Sequence, residues 1–118
     1  MPRILVLDDD ALISVMLQDW LDELGHQTLG PAATAAAALA LIADAPPDAA
    51  ILDLSVGQEM SYPVAEALRA RRIPFAFATG YGSGGLPPPF ADIPVLVKPF
   101  DFEAMKAMLT QLLQASGD

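Results

Sequence analysis

The chain has 118 residues, and its hydrophobic fraction of 53% suffices for one globular domain with a buried core. Its formal net charge of −9 argues against nucleic-acid binding, because phosphate contacts need a clustered basic face. There is no cysteine, which excludes disulfides, thiol catalysis and cysteine-based zinc sites. No apolar stretch reaches the roughly 18 residues of a membrane span and no signal peptide is evident, so we expect a cytoplasmic protein without membrane insertion.

Short apolar runs alternate with amphipathic stretches along the whole chain. The predicted elements are, in order, a strand at 4–7, a helix ending at Leu24 before Gly25, a strand at 27–30, a helix at 35–43, a strand at 49–52, a helix from Pro63 to Arg72, strands at 75–78 and 95–97, and a helix after Asp101. Such alternation predicts a parallel sheet with helices on both faces. The expected fold is therefore α/β, a flavodoxin-like doubly wound sheet of five strands in the order 2-1-3-4-5, as a single domain over residues 1–118.

One helix of this pattern is missing between the last two strands. The stretch from Gly80 to Pro89 contains too many glycines and prolines, which cost about 1 and 3 kcal/mol respectively inside a helix. We expect at most one short turn near Phe90 and Ala91. The fourth helix is therefore predicted to be short or disordered.

Polar side chains follow four of the predicted strands where each strand ends. They are Asp8, Asp9 and Asp10 after the first strand, Asp53 after the third, Thr79 after the fourth and Lys98 after the fifth. The carboxyl ends of these strands meet at one edge of a doubly wound sheet. Clustered carboxylates repel one another, and a divalent cation keeps them ionised, with hard oxygen ligands favouring Mg²⁺. Asp53 is then a nucleophile for a phosphoryl group, whose oxygens Lys98 and Thr79 stabilise.

Four motifs, LVLDDD, ILDL, FATG and VKPF, occur in an order that resembles a receiver domain of a two-component response regulator. The resemblance covers essentially the whole chain. It implies that a histidine kinase or phosphotransfer protein phosphorylates Asp53 with Mg²⁺ as cofactor. The implied metal ligands are Asp9 directly, Asp8 largely through water, Asp53 and the main-chain carbonyl of Ser55. Thr79 and Lys98 would contact the phosphoryl group, whereas Asp10 is expected to be a helix N-cap or a solvated residue.

The chain also departs from the family pattern. Val95 replaces the switch aromatic, Gly57 the usual proline four residues after the phosphoacceptor, and Gly80 the alanine after the threonine. Without the aromatic, an order change in the loop from about Gly80 to Ala91 is the expected link between Thr79 and the surface. Tyr81 either packs within this loop or lies over the phosphoacceptor. The Phe-Ala-Thr-Gly motif resembles a receiver subgroup found as stand-alone stress regulators and in hybrid histidine kinases.

Two other functions remain open at this point. A degenerate receiver would serve only as a protein-binding module. A haloacid-dehalogenase-type phosphohydrolase would use Asp8 as nucleophile and Asp10 as general acid, but it needs a further acidic pair, for which only Asp101 and Glu103 are available. Flavin binding is disfavoured because Asp8 to Asp10 would repel its phosphate. The expected function is a phosphoacceptor that switches contacts with an unidentified output protein, and not an enzyme beyond its own phosphorylation and dephosphorylation.

Overall fold

The computed structural model describes residues 1–80 and 86–116. A parallel five-stranded sheet has the order β2-β1-β3-β6-β7, and a separate antiparallel hairpin comprises β4 and β5. The elements are β1 (Arg3–Leu7), α1 (Ala11–Glu23), β2 (Gln27–Ala32), α2 (Ala35–Asp44), β3 (Ala49–Asp53), β4 (Ser55–Val56), β5 (Glu59–Met60), α3 (Tyr62–Ala70), β6 (Phe75–Thr79), a 3₁₀ turn (Pro88–Phe90), β7 (Val95–Val97) and α4 (Phe102–Ser116). The predicted flavodoxin-like fold is confirmed, since the predicted fourth and fifth strands are β6 and β7.

The sheet lies between two hydrophobic layers. Successive residues of β1 alternate between them, with Leu5 and Leu7 in one cluster and Ile4 and Val6 in the other. The first cluster includes residues of α2 and α3, and the second includes residues of α1 and α4. Strands buried on both faces explain why the sequence shows continuous apolar runs. In the part of the chain that is described, no helix combines the length and the apolar character required to cross a membrane.

The helix boundaries follow from local capping. Side-chain oxygens at three helix starts accept backbone N–H groups: Asp10 from Leu12 and Ile13, Thr34 from Ala37, and Asp101 from Ala104. Gly25 has a φ of 80°, which suits the residue that terminates α1. The N-cap alternative for Asp10 is thereby confirmed.

Two boundaries differ from the predictions by two residues, and the other stated boundaries differ by one residue or none. The second strand extends to Ala32, whereas α3 ends at Ala70 before the predicted Arg72. The 3₁₀ turn at Pro88–Phe90 confirms the predicted short turn in place of a fourth helix, while residues 81–85 lie outside the described residues.

The hairpin of β4 and β5 was not predicted. Its strands are two residues each, too short for an alternating pattern to be recognised. Gly57, with a φ of 61°, occupies the first turn position, as a two-residue type II′ turn requires. Val56 is buried against the core, and both the N–H and the hydroxyl of Ser61 donate to the carbonyl of Leu54, at 2.9 and 3.1 Å. The hairpin is therefore a fixed part of the fold.

A strained residue lies two positions beyond the end of α3. The N–H of Ile73 donates to the carbonyl of Leu68 and that of Arg72 to the carbonyl of Arg69, which is the Schellman pattern. Arg72 adopts a φ of 59° and is the single non-glycine residue with positive φ among those described. Its Cβ crowds the backbone in this conformation, whereas glycine would not.

We predict that Arg72→Gly raises the free energy of unfolding by about 0.5 to 1 kcal/mol, because it removes this strain. Urea denaturation followed by circular dichroism measures the change. Arg71→Gly is the matched control, since Arg71 has a φ of −97° and glycine there only adds freedom to the unfolded chain. Equal shifts in the two variants would contradict the explanation.

Candidate functional site

Four strands deliver polar residues to one edge of the sheet. Asp8 and Asp9 directly follow β1, Asp53 and Thr79 are the last residues of β3 and β6, and Lys98 directly follows β7. The register pairs Leu7 with Leu52, Asp53 with Ala78 and Thr79 with Val97, so the strand ends lie side by side. The structure thus brings these sequence-predicted residues to a common edge.

The three carboxylates form a compact cluster. One oxygen from each of Asp8, Asp9 and Asp53 lies within 4.8 Å of the others. The side chain of Asp8 is buried, that of Asp53 is 14% exposed and Asp9 is exposed to solvent. Hard oxygen donors with one solvent-facing member match the ligand preference of Mg²⁺, which usually keeps several of its waters. The donor set therefore fits the predicted cation.

Lys98 partly neutralises this cluster. Its Nζ lies 3.2 Å from Oδ2 of Asp8 and 3.4 Å from Oδ2 of Asp53. The N–H of Asp10 donates to Oδ1 of Asp8 at 2.8 Å, and the N–H of Gly57 donates to Oδ2 of Asp9 at the same distance. One ammonium among three carboxylates leaves a net negative site, which favours a divalent cation electrostatically.

The environment of Asp53 raises its pKa above the ordinary value. Burial is the main cause, because it disfavours the charged carboxylate, and the Lys98 ammonium opposes it. The neighbouring carboxylates of Asp8 and Asp9 add to the increase. Without a cation, the ionised form of Asp53 is therefore at a disadvantage in the folded protein.

The remaining predicted site residues are Thr79, Val95, Ser55 and Tyr81. Thr79 is buried, and its carbonyl accepts the N–H of Lys98 at 2.7 Å, which holds the two residues adjacent. Val95 is the first residue of β7, pairs with Phe77 and packs against the core. Ser55 is the exposed first residue of β4, and a ligand role for its carbonyl stays a prediction. Tyr81 lies outside the described residues.

A second group of contacts, which sequence reasoning missed, holds the described end of the segment that replaces the fourth helix. We call Tyr62, Arg69, Phe77, Phe90 and Asp92 the Phe90 cluster. The rings of Tyr62 and Phe90 stack with centroids 5.3 Å apart, and Phe77 contacts both edge-on. The Arg69 guanidinium lies 5.2 Å from the Phe90 ring centroid, donates to the carbonyl of Pro89 and pairs with Asp92 at 3.2 Å. No periodicity marks these residues in the sequence, because their contacts are long-range.

Solved structures of known proteins resemble this fold over nearly its whole length. No family model and no curated protein matches the chain significantly. Among solved structures, the BeF3-activated conformation of SdrG from Pseudomonas melonis Fr1 is 46% identical, with a TM-score of 0.80, over 94% of this chain and 95% of that one. SdrG from Sphingomonas melonis Fr1 is 43% identical, also with a TM-score of 0.80, over 100% and 98%. The Erythrobacter litoralis PhyR response regulator REC domain is 26% identical, with a TM-score of 0.85, over 96% and 90%.

The chain belongs to the receiver domains of response regulators. This membership supports a phosphoacceptor signalling function for the receiver domain, and it indicates a signalling protein that works through other proteins. Its acidic cluster lies at the carboxyl ends of β1 and β3, the edge at which parallel α/β sheets of this kind bind ligands.

The raised pKa of Asp53 predicts a pH-dependent effect on the stability of the receiver domain. Between the unfolded and the folded pKa the native state binds more protons, so the free energy of unfolding falls as pH rises through that interval. Asp53→Asn should therefore raise the free energy of unfolding at neutral pH without Mg²⁺. The gain should shrink as pH falls from the raised pKa of Asp53 toward the ordinary pKa of aspartate, and it should be absent below that value. Urea unfolding across the pH range measures it.

The control is Asp19→Asn, which changes an exposed carboxylate of α1 outside the cluster. Asp19→Asn should leave the pH dependence of stability close to that of the wild type. Equal pH profiles for the two variants would contradict the electrostatic explanation.

Proposed function

We propose that residues 1–118 form a single cytoplasmic receiver domain that accepts a phosphoryl group on Asp53 from a histidine kinase or phosphotransfer protein. The observation that carries the proposal is the convergence of Asp8, Asp9 and Asp53 beside Lys98. The relative SdrG has been solved in a BeF3-activated conformation, which supports a comparable response here. Phosphorylation would change the contacts with an output protein.

Each residue has a chemical role in this proposal. An Asp53 oxygen forms the bond to phosphorus while the phosphorus–nitrogen bond of the donor histidine breaks and its electron pair returns to the imidazole. Lys98, within 3.4 Å of Asp53, is placed to neutralise a phosphoryl oxygen, and Thr79 ends the adjacent strand with a hydroxyl donor. Asp8, Asp9, Asp53 and the Ser55 carbonyl would hold Mg²⁺, which supplies positive charge for the phosphoryl oxygens.

Asp53→Asn should abolish phosphoryl incorporation from acetyl phosphate or phosphoramidate with Mg²⁺, because the nucleophilic oxygen is lost. Mass spectrometry detects the added group, and an acyl phosphate is identified by its stability in acid and its sensitivity to hydroxylamine. Asp10→Asn is the matched control, since Asp10 caps α1 and belongs to no ion pair of the cluster. Labelling of Asp53→Asn at the wild-type level would reject the assignment.

The phosphohydrolase alternative finds no support in the described residues. It needs an acidic pair after the lysine strand, but Asp101 accepts the N–H of Ala104 and caps α4. Among the residues that are described, the acidic cluster compatible with a metal consists of Asp8, Asp9 and Asp53. A purely protein-binding receiver is also disfavoured, because the complete set of carboxylates and Lys98 is assembled.

Signal transmission in this receiver should begin at Thr79 and Gly80, within the Phe-Ala-Thr-Gly motif. Val95 provides no aromatic ring that could change position, so the coupling needs another element with two states. The Phe90 cluster holds the far end of the connecting segment, where Phe90 is buried. The order change predicted between Gly80 and Ala91 should therefore stop before this anchored end.

Addition of Mg²⁺ and beryllofluoride should slow the motion and the hydrogen exchange of the Gly80 amide while leaving those of Phe90 and Ala91 nearly unchanged. The physical reason is that Thr79 is drawn toward the phosphoryl oxygens, whereas Arg69 and Tyr62 restrain Phe90. Nuclear magnetic resonance of ¹⁵N-labelled protein measures both effects.

Arg69→Ala should extend the response to Phe90 and Ala91, because it removes the contacts to Phe90, Pro89 and Asp92. Arg71→Ala, at the exposed end of the same helix, is the control. If Gly80 does not respond in the wild type, or if Phe90 responds equally in all three proteins, this route is wrong.

A further inference from the structure

Asp9 has a different partner from the other two carboxylates. Lys98 pairs with Asp8 and Asp53, and no ion pair of Asp9 with a cation occurs among the described residues. Instead the backbone N–H of Gly57 donates to Oδ2 of Asp9 at 2.8 Å, across 48 positions of sequence. A hydrogen bond from a neutral backbone N–H thus holds the exposed Asp9 carboxylate close to the like-charged Asp8 and Asp53.

The donor is held by the fold, independently of Asp9. Gly57 occupies the turn between β4 and β5, and the buried side chain of Val56 fixes one side of this hairpin in the core. The base of the hairpin is closed by Ser61, which is fully buried and donates twice to the carbonyl of Leu54. A rigid donor can orient the Asp9 side chain, because core packing has already fixed the position of the donor.

We infer that Gly57 is a positioning residue for the cation site, an inference that rests on the proposed Mg²⁺-dependent function. Its N–H holds the Asp9 carboxylate toward Asp8 and Asp53 against their repulsion, so the cation meets a preassembled set of ligands. A carboxylate offers about four acceptor positions, so Oδ2 accepts this hydrogen bond while the group still binds a cation. Hydrogen bonds to ligating carboxylates of this kind tune metal affinity.

The residue type at position 57 decides whether this contact exists. Proline has no N–H and cannot make it, and its φ is fixed at about −65°. Glycine supplies the N–H and readily adopts the φ of 61°. A Cβ added at Gly57 would meet no atom within 4 Å, so asparagine retains the donor without a steric clash, although any side chain is strained at this φ.

The test is titration with MgCl₂, followed by isothermal calorimetry and ¹⁵N resonance shifts, of the wild type, Gly57→Pro and Gly57→Asn. Gly57→Pro should weaken Mg²⁺ binding by about tenfold or more, whereas Gly57→Asn, which keeps the N–H at the cost of backbone strain, should lose less affinity than the proline variant. Equal affinity of the proline variant and the wild type would overturn the inference alone. A wild type that does not bind Mg²⁺ would overturn the proposed function and the inference with it.

A double-mutant cycle separates positioning of Asp9 from a general change in hairpin shape. In an Asp9→Ala background, titrated by ¹⁵N resonance shifts to MgCl₂ concentrations high enough to measure the binding that remains without this ligand, the effect of Gly57→Pro should fall to about twofold or less, because the acceptor is gone. A full effect in that background would show that proline acts through the hairpin itself, and it would overturn the inference. In the metal-free protein, Asp9→Ala should also abolish the exchange protection of the Gly57 amide, and retained protection would contradict the contact.

Discussion

Repulsion among three carboxylates at one edge of the sheet is the constraint around which this receiver is organised. Burial of Asp8 and partial burial of Asp53 strengthen that repulsion, because little water is available to screen the charges. The Lys98 ammonium pairs with Asp8 and Asp53, and backbone N–H groups donate hydrogen bonds to Asp8 and Asp9. These contacts leave the negative charge only partly neutralised. The residual negative charge favours a cation electrostatically, and the exposure of Asp9 keeps the cluster open to solvent.

The parallel sheet makes this concentration of charge tolerable. Two hydrophobic layers hold the strands from both sides, so their ends cannot move apart to relieve the repulsion. The hydrogen bond from the N–H of Lys98 to the carbonyl of Thr79 ties β7 to β6 at the site itself. The packing energy of the core thus holds like charges together at the edge of the sheet, a common arrangement in functional sites.

A second packed group of side chains lies beside the segment that replaces the fourth helix. The position of the usual switch aromatic holds Val95, whose short side chain lies in the sheet and packs against the core. Aromatic residues are concentrated instead around Phe90, where Tyr62 and Phe77 form one packed group with the Arg69 guanidinium. This group links α3 to the segment that replaces the fourth helix. Phe77 belongs to the same strand as Thr79, so the packed group and the phosphoacceptor edge share β6.

The sequence alone determined the fold class, the order of the five strands and the residues at their ends. These features are local, because an apolar run, a capping side chain such as Asp10 and a glycine such as Gly25 act within a few positions of themselves. The end of α3 was placed too late, because Arg72 adopts positive φ without the glycine that usually marks such an end. The hairpin at Gly57 was missed since its strands are too short to show a period.

Only the tertiary structure decided which two carboxylates Lys98 contacts, that Gly57 donates to Asp9, and that Arg69 covers Phe90. Each of these contacts joins residues far apart in the chain, and its existence depends on register, turn geometry and side-chain packing together. A one-dimensional pattern contains the residue types but not the distances between them. Electrostatic and hydrogen-bond energies depend on those distances, and so they appear only when the chain has folded.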